Sequence, residues 1–214
     1  MDKREIIPLF PLGLVLLPEM ILPLHIFEER YKIMIAECLD ADRGFGIVYY
    51  DGKDIKTQGC LARIMNVTKK YEDGKIDIMT IGRQRFEIVT IIEDKIYSQA
   101  EVIYFDDQDH DLQDVNEIIS QKARELIEEI ALLSNQKPSV SSLKDINPQK
   151  LSFLIAGSDG FNSDEKQEFL EMRSTANRLQ KGVDALSKIT ERIKINMEIR
   201  KLIDGNGHMP ELLH

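Results

Sequence analysis

Apolar positions along the chain follow two rhythms. Before about residue 110 they come in short aromatic and β-branched runs cut by Gly, Pro and Asp, the pattern of strands and turns. Residues 12–17 form one such run, and 45–50 another, bounded by Gly44 and by Asp51-Gly52. Residues 60–67 and 76–81 flank Glu72-Asp73-Gly74-Lys75, where Asp-Gly tolerates the positive φ of a hairpin turn. Residues 86–92 and 96–105 predict a second hairpin around Glu93-Asp94-Lys95. One helix interrupts the strands: Phe27, Tyr31, Ile35, Cys38 and Leu39 fall on one helical face, with Glu28 and Glu29 at the dipole-favoured start. Strands of this length and spacing predict a small barrel or sandwich with the helix plugging or flanking it.

Beyond residue 110 the period becomes helical. Leu112, Ile119, Leu126 and Leu133 recur every seven residues, with Val115, Ala123 and Ile130 between them, as in a bundle seam. Asn147-Pro148 reads as an N-cap followed by proline at the first helical position. Asn162 and Glu165 have capping-box spacing, with Ser163 the alternative cap. A last helix is expected over residues 175–203, with Leu179, Val183, Leu186, Ile193 and Met197 as its buried stripe and its far end projecting. The resulting expectation is an α+β protein, a β-barrel part over 1–110 and a helical part over 111–205, packed as one unit and followed by a flexible tail over 206–214.

Composition agrees with two unlike halves: of 14 aromatics, 11 precede residue 111. Apolar residues at 43 % and charged residues at 30 % describe a globular chain able to bury a core without staples. The net charge of −9 ranks protein partners above nucleic acid. The apolar stretch 6–27 contains Pro8, Pro11, Pro18, Pro23 and Glu19, which argues for folded structure rather than a membrane span or signal peptide. A cytoplasmic protein is expected, with Cys38 and Cys60 as small buried side chains.

The search for chemistry yields little. There is no P-loop, and Gly44-Phe45-Gly46 lacks the third glycine of a dinucleotide loop. There is no nucleophile elbow. His25, Glu28 and Glu29 share a helical turn but lack zinc-protease spacing. Asp106, Asp107, Asp109 and Asp111 imitate the start of a calcium loop. Leu112 stands where its Gly is required and Ile118 where its Glu is, so the stretch is read as a solvated linker between the halves. Ser187-Lys188 are helix neighbours that do not face each other, so they read as a surface pair rather than a dyad. No catalytic, cofactor-binding or metal-ligating residue is assigned, and a hydrolase would need a polar pocket that the residues do not disclose.

One segment says more. Ile7-Pro8-Leu9-Phe10-Pro11-Leu12-Gly13-Leu14-Val15-Leu16-Leu17-Pro18, continuing through Ile21-Leu22-Pro23-Leu24-His25-Ile26-Phe27-Glu28-Glu29-Arg30-Tyr31, resembles the N-terminal domain of the Lon ATP-dependent proteases. The free-standing proteins built of that domain alone are nearest in kind. Phe45-Gly46, Gly59, Ala62-Arg63-Ile64, Asp73-Gly74 and Gly82-Arg83-Gln84-Arg85-Phe86 agree, as do residues 165–171 and Arg178-Leu179. The likeness spans roughly residues 5–195, with departures at Glu19, where the family commonly has glycine, and at Gln58-Gly59-Cys60. It implies a PUA-like barrel followed by a helical subdomain, a region that in full-length Lon recognises unfolded substrates and supports assembly. The chain is expected to lack the downstream ATPase and protease domains, so the resemblance implies binding without cleavage and supplies no catalytic residue. Its motif residues are read as structural, Arg85 and Phe86 bracing the barrel after a turn glycine.

The first functional expectation is therefore a non-catalytic adaptor or chaperone-like module holding extended or unfolded protein segments in a groove between barrel and helices. Tyr31, Phe45, Tyr49, Tyr50 and Arg83 are candidate lining residues, although aromatics in such runs build cores as readily as binding surfaces. The alternative is an RNA-binding PUA-like module using Lys69, Lys70, Lys75, Arg83 and Arg85, which also read as the charges of a solvated turn.

Overall fold

A computed structural model of the chain describes residues 4–108, 113–135, 143 and 145–205. Six strands and five helices follow in the order β1 (Arg4–Leu12), β2 (Ile21–Ile26), α1 (Glu29–Asp40), β3 (Phe45–Tyr50), β4 (Ile55–Lys70), β5 (Ile76–Ile92), β6 (Gln99–Phe105), α2 (Gln113–Leu133), α3 (Pro148–Ala156), α4 (Ser163–Glu171) and α5 (Thr175–Gly205). The sheet order β2-β5-β4-β3-β1-β6 closes through an additional β5–β6 pairing. Five strands thus form a ring and β2 lies outside it, a PUA-like barrel followed by a helical part.

The closure depends on two strands that change partners. β1 pairs antiparallel with β6 through Pro8 and then parallel with β3 from Leu9. Pro8 occupies the last register with β6, where a missing amide interrupts the ladder least. The 17-residue β5 meets β2 over Ile76–Ile81 and β6 over 85–92, with β4 alongside both parts. Register shifts at Cys60/Ala62, Ile64/Asn66 and Val67/Lys69 give β4 the bend this requires.

Residues 13–17 are not a strand. β1 precedes them, and Val15, Leu16 and Leu17 are buried in an irregular crossing. Nor is Gly82 a turn: β5 runs straight through it, merging two expected strands. In α1 the buried face is Tyr31, Met34, Ile35 and Cys38. Phe27 lies before the helix and is 57 % exposed, and Leu39, at the rim of the buried arc, is 40 % exposed.

In the helical part, Ala123 and Leu126 are buried on α2, but Val115 is exposed, and Leu112 lies outside the described residues. Both caps form as read. Asn147 accepts from the Lys150 amide with Pro148 at the first turn, and Asn162 rather than Ser163 makes the capping box with Glu165. Helix α5 has 31 residues, about 46 Å at 1.5 Å per residue. Leu179, Val183 and Leu186 are buried; Ile193 is half-buried and Met197 exposed, because the helix outruns the body it packs on. The tail beyond residue 205 lies outside the described residues.

A single apolar cluster runs from the barrel (Phe10, Leu16, Leu17, Tyr31, Phe45) into the helices (Leu151, Phe153, Phe169, Leu179). A smaller one inside the ring centres on Phe86. Glu19, the departure from the family glycine, takes φ 65°. Glycine adopts this conformation without strain, whereas other residues are held there at a cost. Glu19→Gly is accordingly expected to stabilise the protein by up to about 1 kcal/mol, read from its urea unfolding midpoint.

Candidate binding groove

The acidic stretch after β6 has a role its composition hides. Asp107 is 6 % exposed and sits between two buried arginines. It accepts from Arg85 Nη2 at 2.6 Å, from Arg178 Nη1 and Nη2 at 2.9 and 2.5 Å, and from the Thr175 hydroxyl at 2.5 Å. This corrects the reading of a solvated linker for Asp107; Asp109 and Asp111 lie outside the described residues. Arg85 comes from β5 and does not only brace the barrel. Its Nη1 donates to the Leu170 and Met172 carbonyls at the end of α4. Arg178, with no exposed surface, comes from α5 and also donates to Ser152 Oγ at 2.8 Å and to the Met172 carbonyl at 2.9 Å. Burial alone would raise the Asp107 carboxyl, but Arg178, Thr175 and Arg85 together hold it well below the usual carboxylate range.

This cluster fixes a wall. The Phe153 ring of α3 lies 4.0 Å from the Arg178 guanidinium carbon and 5.2 Å from that of Arg85. Phe153 lines a groove of about 650 Å³ at the seam between barrel and helices. Its barrel side is Pro18, Met20 and Ile21. Its helical side is Ile127 and Ile130 of α2, Leu154 and Ile155 of α3, and Leu186 of α5. Among the described residues the charged linings are Glu19 and Lys150. Both also border a polar annex of about 340 Å³ that contains Arg83, Gln84, Asp106 and Gln149. An apolar trough of this size suits side chains of a partner.

The five candidate binding residues do not gather in this groove. Tyr31 is buried against Phe10, ring centroids 4.1 Å apart, and burial raises its pKa. Phe45 is wholly inside the core. Tyr49 is half-buried, and partial burial and the Asp164 carboxylate raise its pKa. Tyr50 is exposed and donates to the Gly52 carbonyl. Arg83 alone reaches the groove region, in the annex. Leu154, Ile127 and Ile130 were missed, although α3 carried a signal: Leu151-Ser152-Phe153-Leu154-Ile155-Ala156 is apolar on nearly every side, more than one buried face needs.

Of the five basic residues considered for RNA, Lys69, Lys70 and Lys75 lie together at the β4–β5 turn, while Arg83 and Arg85 lie apart from them at the seam. Lys69 lies over the Tyr71 ring, Lys75 pairs with Asp73, Arg83 pairs with Glu19, and Arg85 is buried on Asp107. His25, Glu28 and Glu29 turn to separate partners, Asp77, Arg30 and Lys32. Among the described residues no group of three or more His, Cys, Asp or Glu could hold a metal ion. Burial pushes the Cys60 thiol up to about 12 and raises Cys38, which keeps both protonated at neutral pH. No described helix is long and apolar enough to cross a membrane.

Comparison with known proteins agrees with this architecture. The chain is 24 % identical over 213 residues to a Lon protease of Dictyoglomus thermophilum, covering 93 % of the chain and 26 % of that protease. A Lon protease of Endomicrobium trichonymphae is 26 % identical over 207 residues, covering 87 % and 25 %. The chain thus spans about a quarter of the length of these relatives. Among solved structures, the N-terminal domain of the Mycobacterium avium complex Lon protease superposes with TM-score 0.67 at 14 % identity, covering 86 % of this chain and 98 % of that one. A Lon N-terminal domain protein from Xanthomonas campestris gives TM-score 0.60 at 18 % identity, covering 83 % and 96 %. The family model of the ATP-dependent protease La (LON) substrate-binding domain matches residues 6–188, and the chain belongs to that family.

Proposed function

We propose that this chain is a non-catalytic protein-binding module, a Lon-like substrate-recognition unit that holds extended or unfolded polypeptide segments and serves as an adaptor. The observation that carries this reading is the apolar groove at the seam of barrel and helices. Its walls come from β2, α2, α3 and α5 and from the residue 18–20 turn, and they offer mostly hydrocarbon. A trough of that character gains from burying apolar side chains, at about 25 cal/mol per Å² of apolar surface. Membership in a substrate-binding family supports the reading. Strand β2 supports it too. Among the described residues it stands at one end of the sheet order with β5 as its one strand partner, so its far edge pairs with no described strand. An extended segment can add to such an edge.

The test uses a chemically unfolded, fluorescently labelled polypeptide and the full chain, followed by anisotropy. Binding in the micromolar range is expected. Leu154→Asp, at a groove position already 53 % exposed, places a charge in the trough without emptying the core. It is expected to weaken binding at least tenfold with the unfolding midpoint nearly unchanged. Undiminished binding by this variant would remove the groove from the proposal.

A further inference from the structure

The apolar groove ends on two cations that already hold a carboxylate. Arg83 Nη1 on β5 and Lys150 Nζ on α3 donate to the two oxygens of Glu19 at 3.3 and 3.4 Å. Both contacts are long for charge-assisted hydrogen bonds, which run about 2.7–2.9 Å. The three side chains are 39–52 % exposed. Ion pairs this open contribute little stability, so an incoming anion can replace Glu19 at small cost. Glu19 is moreover held at φ 65°, a conformation that a glycine would take more easily.

The placement favours a chain terminus. Glu19 and Lys150 line both the groove and the annex, so apolar side chains lying in the groove bring the following group to the cation pair. Past the cations stands Asp106, 73 % exposed at its side chain and held by Gln149 Nε2 at 2.7 Å. Beyond the cations the lining is polar, with Gln84, Asp106 and Gln149, so a segment running on would leave the apolar trough there. A segment ending at the cations keeps its apolar side chains in the trough, and its α-carboxylate matches the charge and two-oxygen geometry of the Glu19 group it displaces.

We infer that the groove takes the C-terminal end of a polypeptide, its last apolar side chains in the trough and its α-carboxylate on Arg83 and Lys150. The inference rests on the proposed binding function and narrows its clients to those with apolar C-termini.

Three labelled hexapeptides test it by anisotropy with the full chain: an apolar peptide with a free C-terminal carboxylate, the same peptide amidated, and an amidated version with one internal Glu. The free acid is expected to bind about tenfold more tightly than the plain amide. The double variant Arg83→Met/Lys150→Met is expected to abolish that preference. Glu19→Gln is expected to raise affinity for the free acid. These side chains are exposed, and circular dichroism verifies that the variants remain folded. Equal binding of acid and plain amide overturns the inference while leaving the groove reading intact. An internal-Glu amide that matches the free acid overturns the assignment to a terminus. Failure of all three peptides to bind overturns the inference together with the function it rests on.

Discussion

Asp107→Asn is expected to destabilise the protein by about 3–5 kcal/mol, read as a fall in the urea unfolding midpoint at pH 7. The substitution keeps the shape and removes the buried charge that faces both Arg85 and Arg178. Asp106, the other acid nearby, lies 3.8 Å from Arg85 with its side chain mostly exposed and compensates little. An asparagine oxygen can accept from one guanidinium, but its amino group then points at donors. Two buried cations left without a counter-charge cost far more than the lost hydrogen bonds themselves. Set against a total stability of about 5–15 kcal/mol, this loss brings the fold near its threshold. Because Asp107 joins the end of the barrel to α5, the seam and the groove beside it loosen first.

The same carboxylate gives a pH signature. Its folded-state pKa lies below its ordinary value, so the unfolded chain binds the proton more readily than the folded one. Its contribution to stability is therefore complete above the unfolded pKa of about 4 and is lost as pH falls through and below that value. Between about pH 5 and 2 the wild-type unfolding midpoint should fall more steeply than that of Asp107→Asn, and the two curves should converge in acid. Parallel curves would show that Asp107 is not ionised in the fold.

What sequence reasoning reached, and what it missed, follows from the range of each interaction. The Asn147 cap, the Asn162–Glu165 box and the Asp73-Gly74 turn are set by residues within four positions, and each formed as read. The Asp107 cluster joins positions 22 and 71 residues apart, and an acidic run before a helical region has the composition of a solvated linker. The PUA-like barrel and the helices behind it were legible, partly from residue pattern and partly from family resemblance. The groove was legible only as an idea. Tyr31 and Phe45 read as aromatics near edges, but α1 packs on the barrel beside Phe10 and buries both, while Ile127, Ile130 and Leu154 become groove walls only when α2 and α3 meet the 18–21 segment. The strand β1 is obscured by Pro8 and Pro11: Pro8 sits where the strand changes partners, and Pro11 pairs with Val48 one residue before the strand ends.

Gly82→Ala is expected to cost about 3 kcal/mol and to weaken peptide binding as well. Read as a turn glycine, Gly82 is instead a point of close approach. A Cβ there would lie 2.1 Å from the Leu17 carbonyl oxygen and 3.0 Å from its carbon. Both are backbone atoms, so no side-chain rotation relieves the overlap, and β5 or the 17–20 turn must shift. The contact is held from both sides. The Gly82 amide donates to the Met20 carbonyl at 2.9 Å, and the Glu19 amide donates to the Gly82 carbonyl at 2.9 Å. The turn cannot withdraw freely either, since Leu16 and Leu17 are buried in the main core. Pro18, Glu19, Met20 and Ile21 form the barrel side of the groove, so a displaced turn changes its width and the position of Glu19 relative to Arg83 and Lys150. Gly74→Ala provides the contrast. It strains a φ of 79° in an exposed turn remote from the groove linings and should cost about 1 kcal/mol with binding unchanged. Urea unfolding and peptide anisotropy on the two variants separate the roles: a Gly82→Ala protein that keeps full affinity would show that the turn does not shape the groove.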